Sequence, residues 1–253
     1  AHPGYAMDEV EQMLPGAQAM YADASGGNQF TLRMMDGSAD EVKKYGHQLA
    51  EVVLKVAKSP MQDVTGPLSS KLAVISLSFA KPISKESAQN LAKFAPKDIG
   101  YVPYPNGDRE SNWIRALMKY YEQGFPFPTK SSDLVCTDDG FMVKELETPR
   151  EFPCRYEETI VSKIGSLIFV AMQGEVCAPI GVRIKDAIRC ERPIMVGAYM
   201  GEHNLYIPTR ELVRLNYYQA QVLQIQYACP VGWAPTVEDE MVDGVIRMIR
   251  ALQ

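Results

Sequence analysis

No apolar run in the chain approaches the ~18–20 residues that a membrane-spanning helix requires. Positive charge is not in surplus either: Lys+Arg 26 against Asp+Glu 31 leaves a net charge of −5. That balance argues against a nucleic-acid or anionic-membrane partner, which would need a basic face. The 5 cysteines, Cys136, Cys154, Cys177, Cys190 and Cys229, never fall in a CxxC spacing, which argues against a zinc ribbon or redox dithiol. No Gly-x-Ser-x-Gly elbow occurs, and no cysteine sits in a motif that pairs it with a histidine, so a metal-free hydrolase has little support. Internal repeats, low-complexity tracts and a signal-peptide pattern are all lacking.

What is present describes a folded protein. The chain has 253 residues, of which 46% are hydrophobic and 23% charged, enough to bury a core without staples. The cysteines read as free, mostly buried thiols, with a single Cys136–Cys154 bridge across a polar loop left open as the alternative.

Periodicity predicts a helix over 7–14, closed by Pro15-Gly16, and a short buried strand over 17–21 that runs into a small-residue loop at 23–28. A long helix through Lys58 starts at Ser38 or Asp40, with Val42, Leu49, Val52, Val53 and Val56 on its inner face. A half-buried strand over 68–79 and an amphipathic helix over 84–94 follow. Residues 96–108 are turn-rich and form the best seam, and a helix is expected over about 109–123. Strands over 156–162 and 167–171 flank the turn Ile164-Gly165-Ser166. A helix over 179–188, a strand over 194–198 and a final helix over 236–252 complete the pattern. Thr236 and Asp239 would form a near capping box on that last helix. The expected architecture is α/β, in mixed α+β layers, with a β-sheet core flanked by helices in one domain or a fragment of one.

The segment from Lys163 to Gln219 carries the functional argument. Its first strand ends in Gln173-Gly174-Glu175, and its second is followed by His203, Tyr206 and Thr209. Groups beyond the carboxyl ends of neighbouring strands converge on one crevice. A carboxylate, an imidazole and a phenol meeting there would ligate a metal or serve as acid and base. The plainer reading makes Glu175 a helix cap, worth ~0.3–1 kcal/mol near a helix N-terminus, and the residues leave both readings open. His203 reads either as a ligand or as an ordinary loop histidine. His47 reads as a surface or interface residue, and Tyr217-Tyr218 more as packing than as catalysis. Tyr199, Met200, Leu205, Tyr217, Tyr218 and Trp233 would line an apolar groove or belong to the core.

These residues resemble the neutral/alkaline, non-lysosomal ceramidase family. The resemblance lies in the strand–Gly174-Glu175–helix element, in Tyr206-Ile207-Pro208-Thr209-Arg210-Glu211 with a downstream Tyr218, and in Pro3-Gly4-Tyr5-Ala6 followed by Pro15-Gly16-Ala17 and a Gly-rich loop. It implies a zinc-dependent amide hydrolase that cleaves the N-acyl bond of a ceramide-like lipid with a metal-activated water. In that family two histidines, a glutamate and a tyrosine hold the zinc. By position Glu175 matches the glutamate, Tyr206 the tyrosine and His2 is the candidate for the second histidine, while Tyr218 joins the catalytic group. The first histidine motif has no counterpart, so the resemblance implies that the catalytic domain begins before Ala1.

The departures are specific. His2-Pro3 runs directly into Gly4-Tyr5 without the family's spacer, and Gly27-Asn28 replaces a Gly-Asp pair. Val213 stands where a tyrosine is expected, and His203 stands where some members carry a second tyrosine, a place from which it would substitute as a ligand. The alternative to the hydrolase is a non-catalytic homologue that acts as a binding or interaction module. The partner expected on the first reading is a small-molecule or lipid amide. A secreted or cell-envelope location fits the resemblance, and a cytoplasmic one is equally compatible with the sequence. The hydrolase reading requires Glu175 and Tyr206 to lie within about 10 Å of each other.

Overall fold

A computed structural model describes residues 2–29, 38–94, 132–137, 140–145, 154–189, 191–201, 205–225, 229 and 231–252, with 113–114, 117–118 and 121–122 as short helical pieces. The seam at 96–108, His203, Cys190 and the side chains of Cys136 and Cys154 lie outside the described residues, as does most of the helix expected over 109–123.

The central sheet has the order β1 (Leu68–Ser78), β4 (Cys154–Ile164), β5 (Leu167–Gln173), β7 (Ile194–Met200). β1 pairs antiparallel with β4, and β4 with β5 through the tight turn at Gly165-Ser166, with Ile164 opposite Leu167. β5 and β7 are parallel neighbours, with Val170 opposite Val196. Parallel strands need a crossover, and the helix α4 (Ala178–Ile188) supplies it. β2 (Ser132–Thr137) and β3 (Gly140–Glu145) form a separate hairpin. A mixed sheet flanked by helices is the α/β layering expected from the sequence.

One face of the sheet carries the core. Ile75, Leu77, Val161, Ile168, Val170, Met172 and Val196 pack against Ile180, Ile184 and Ile188 of α4 and against Met241, Val245 and Ile249 of α7 (Val237–Ala251). α7 comes so close to β1 that a Cβ on Gly244 would stand 2.8 Å from Ile75 Cδ1. Two arginines tie the helices together at the surface. Arg183 of α4 reaches Glu238 at 2.7 Å and Asp239 at 3.0 Å, and Arg210 of the short helix α5 (Arg210–Arg214) also binds Asp239.

Four local expectations change. Residues 17–21 form no strand: Met20 is 91% exposed, and only Ala24, further on, bridges to Gly197 at the edge of β7. α1 (His2–Met13) starts five residues earlier than its apolar spacing suggested, because its contact with α2 (Ala39–Ala57) runs through small residues. Ser38 caps α2 as expected, but its buried face is Gly46, Ala50 and Leu54, with Val52, Val53 and Val56 exposed. Gly46 allows that approach, since a Cβ there would lie 2.6 Å from Tyr5 Cβ. Finally, Thr236 makes no side-chain cap to α7 and instead donates to Glu240 Oε1 at 3.1 Å, while Asp239 serves the two arginines. α3 (Lys85–Phe94) and β1 fall where the sequence put them.

Candidate functional site

The site is built where β5 and β7 end. Gly174, with φ of 81°, turns the chain out of β5 into the two-residue strand β6 (Glu175–Val176). β6 lies parallel to β8 (Tyr206–Ile207), with Glu175 directly opposite Tyr206. The ladder is tied by Glu175 N–H to Leu205 O at 2.8 Å and Cys177 N–H to Ile207 O at 3.1 Å. Residues opposite each other on adjacent strands are ~5 Å apart, so two positions 31 apart in sequence become immediate neighbours.

Their side chains meet. The Tyr206 phenol donates a hydrogen bond to the Glu175 carboxylate. Burial holds the Glu175 carboxyl above the ordinary carboxylate range, and the Tyr206 bond offsets part of that rise. The Tyr206 phenol is pushed well up by burial and by the charge of Glu175. Tyr218, the first residue of α6 (Tyr218–Ile225), stacks edge-on against Tyr206 with ring centroids 5.7 Å apart. Tyr217 beside it points to solvent.

A second set of groups closes around this pair from β7. Tyr199 has φ of 62°, a left-handed conformation that costs a non-glycine residue of order 1–3 kcal/mol and clusters at functional positions. Its phenol is raised by burial and by the charges of Glu175 and Asp23. Asp23 accepts a hydrogen bond from Tyr21, whose ring stands 6.5 Å from that of His2 at the start of α1. His2 therefore sits at the outer end of a chain of contacts that leads through Tyr21 and Asp23 toward Tyr199. Besides burial, the described groups that raise Tyr199 and Tyr206 are acids, phenols and a thiol, led by the charge of Glu175.

The alternative reading of Glu175 as a helix cap is corrected. Glu175 belongs to β6, the N-cap position of α4 is Cys177, and the acceptor for the Ala178 N–H is Asn28 Oδ1 at 2.8 Å. Thr209 in the Tyr206–Glu211 element caps α5 by accepting from Leu212 N–H at 3.2 Å. Leu205 and Trp233 belong to the core, and Val213 packs against it. His47 is exposed between Glu9, at 2.8 Å, and Glu51, at 3.6 Å. Among the described residues no three His, Cys, Asp or Glu side chains are grouped to hold a metal ion. No helix among them is long and apolar enough to cross a membrane. A groove of about 620 Å³ between β1 and α7, lined by residues such as Lys71, Asp243 and Arg247, includes none of these site residues.

Sequence reasoning missed Asp23 and Tyr21 as parts of this crevice and took Asn28 only as a departure from the family's Gly-Asp pair. Only the small-residue loop at 23–28 pointed toward them, because a loop's partners are fixed by tertiary contacts rather than by local pattern. Tyr199 entered only as a groove or core residue, and its backbone conformation is invisible in the sequence.

Neither a protein-family model nor a curated protein matches the sequence. Among solved structures, the neutral ceramidase from Pseudomonas aeruginosa matches with a TM-score of 0.53 at 16% identity, covering 96% of this chain and 39% of that one. A ceramidase complexed with C2 matches with a TM-score of 0.51 at 12% identity, covering 96% of this chain and 40% of that one. The likeness establishes a ceramidase-like fold, and the chain spans about two fifths of the length of these neighbours.

Proposed function

We propose that the chain is a ceramidase-like hydrolase that cleaves the N-acyl bond of a ceramide-like lipid with a metal-activated water. The observation that carries the reading is the pairing of Glu175 with Tyr206 at adjoining strand ends, inside a fold similar to that of ceramidases. A half-buried carboxyl and a phenol that meet at adjoining strand ends, with the phenols of Tyr199 and Tyr218 beside them, would supply two oxygen donors to a divalent cation. Glu175 and Tyr206 would hold zinc, with the remaining donors sought in His2 and in His203, the latter outside the described residues. Zinc held there would supply a water of pKa lowered toward ~7 and a Lewis acid for an amide carbonyl.

The chain's own groups do the rest. Tyr218 packs edge-on against Tyr206 and fixes the ring that presents its phenol oxygen to Glu175. Tyr199, held in a strained conformation beside the pair, presents a second neutral phenol that can donate to a polar group of the substrate.

The test is Glu175→Gln, which keeps the shape and removes the charge. In the unsubstituted chain about one equivalent of zinc is expected by elemental analysis, together with cleavage of a fluorescent ceramide analogue. In E175Q the zinc should be lost and cleavage should fall by about 10²-fold or more, as expected for a first ligand or its equivalent. Unchanged zinc content and cleavage in E175Q would overturn the role given to Glu175, whereas neither zinc nor cleavage in the unsubstituted chain would overturn the hydrolase reading and leave the binding or interaction module in its place.

A further inference from the structure

We infer that the loop 23–28 is the positioning element of the Glu175–Tyr206 pair, with Gly27 and Asn28 as its working residues. The inference rests on the reading of that pair as the business end of the site. β6 is only two residues long, and a two-residue ladder to β8 is a weak anchor for a side chain that must be held in place. The loop supports it from outside the ladder.

Four contacts do this. Gly27 N–H donates to Val176 O at 2.9 Å, and Asn28 Oδ1 accepts from Ala178 N–H at 2.8 Å, so the backbone on the C-terminal side of Glu175 is held at both 176 and 178. At its other end the loop holds β7, where Asp23 O accepts from Ala198 N–H at 3.1 Å and Ala24 bridges to Gly197. The loop thus ties the end of β7, which carries Tyr199, to the junction that carries Glu175.

At Gly27 the contact is so close that only glycine fits, since a Cβ there would stand 2.2 Å from Glu175 O. On Gly26 a Cβ would stand 3.3 Å from Tyr199 Oη, a tight contact that a small shift of the ring relieves. Asn28 matters through its acceptor oxygen. Cys177, at the N-cap of α4, makes no side-chain cap, so the orphan amide of Ala178 is satisfied by a residue 150 positions away. The chain crosses from strand to helix at this point, and the carboxamide fixes where that crossing lies.

The test compares the full-length wild-type chain with Asn28→Ala and Asn28→Asp. In the wild type the Ala178 amide should be protected from hydrogen exchange although it lies in the first turn of a helix. Asn28→Ala should speed its exchange roughly five- to tenfold, the equivalent of a lost cap. It should also shift the Tyr206 ring signal of the metal-free protein in NMR and raise the zinc dissociation constant about 10–100-fold. Asn28→Asp keeps an acceptor oxygen and should restore both the exchange rate and the ring signal. A purely structural loop would lower thermal stability without moving the Tyr206 ring.

An Ala178 amide exchanging as an uncapped first-turn amide in the wild type would overturn the inference. So would an unshifted Tyr206 ring in folded Asn28→Ala, or Asn28→Asp behaving as Ala does. If the wild-type chain takes up no zinc, the reading of the pair as metal ligands fails. The exchange and ring signals, both read without metal, still decide the role of the loop.

Discussion

Cys177 lies two residues beyond Glu175, fully buried at the head of α4. Burial pushes its thiol up to about 12, the charges of Glu175 and Glu238 add to the rise, and a backbone N–H of Thr209 opposes it. At pH 8 the thiolate fraction is then about one in ten thousand, and it is the thiolate that reacts. Cys229 is raised by burial as well, against smaller opposing effects of the Val231 backbone and Arg155. Iodoacetamide at pH 8 should therefore leave both residues unlabelled in the native chain and label them after unfolding in guanidinium, as read by peptide mapping. Native Cys177 labelled as fast as a free thiol would contradict its burial. The sign of the pH effect follows for Cys229. Its folded value lies above the ordinary 9.0, so its contribution is intact below pH 9 and is lost as pH rises further, because the unfolded thiol ionises first. At this scale the sequence made Glu175 and Tyr206 legible, because Glu175 follows an apolar strand and Tyr206 stands in the Tyr206–Glu211 element that the family resemblance singled out. Asn28 was legible only as a departure from the family's pattern, since the hydrogen bond that gives it a role joins it to Ala178 across 150 positions.

Among the elements, the join of α7 to β1 tests how closely the layers fit. A Cβ on Gly244 would meet Ile75 Cδ1 and Cγ2 at 2.8 Å and Cγ1 at 3.0 Å, so no single rotation of the isoleucine clears it. Gly244→Ala gains up to ~1 kcal/mol of helix propensity, yet overpacking a buried contact costs about 1–3 kcal/mol. The expected net result is a loss of about 1 kcal/mol in urea unfolding. In an Ile75→Ala background the same change should be neutral or stabilising, which gives a coupling energy of about 1 kcal/mol or more in the double-mutant cycle. Additive effects would mean that the helix does not sit on the strand as described. β4, β5, α4 and β7 were legible because their periodicity extends over seven or more residues. β6 and β8, two residues each, carry no period at all, although they hold the candidate site. The segment 17–21 shows the reverse error. Its apolar content suggested a strand, but without neighbouring strands on both sides its residues stay mostly exposed.

At the scale of the whole molecule, the described residues divide into two cores of unequal size. The larger runs from Ile75 and Leu77 through Ile168, Val170, Ile180 and Ile184 to Met241 and Ile249, and packs the sheet against α4 and α7. The smaller has Ala6, Val10, Ala50 and Leu54 as its buried members, between α1 and α2, with Leu14, Ala19 and Leu49 packed against it. Two of its four buried residues are alanines, which bury little apolar area, so the pair of helices has far less hydrophobic free energy to hold it than the sheet has. Local opening should follow that difference, with free energies well below the global value in the small core and close to it in the large one. Native-state hydrogen exchange is expected to show amides of α1 and α2 exchanging through partial opening, while those of β4, β5 and β7 exchange only on global unfolding. Leu54→Ala should widen the gap, lowering protection in α1 and α2 by about 2 kcal/mol or more and leaving β5 nearly unchanged. Equal loss of protection in both regions would show that the helices and the sheet unfold as one unit. That outcome would also bear on the site, because His2 reaches Tyr21 only from the end of α1. If α1 opens independently, a ligand drawn from His2 would be supplied by the least stable part of the described fold.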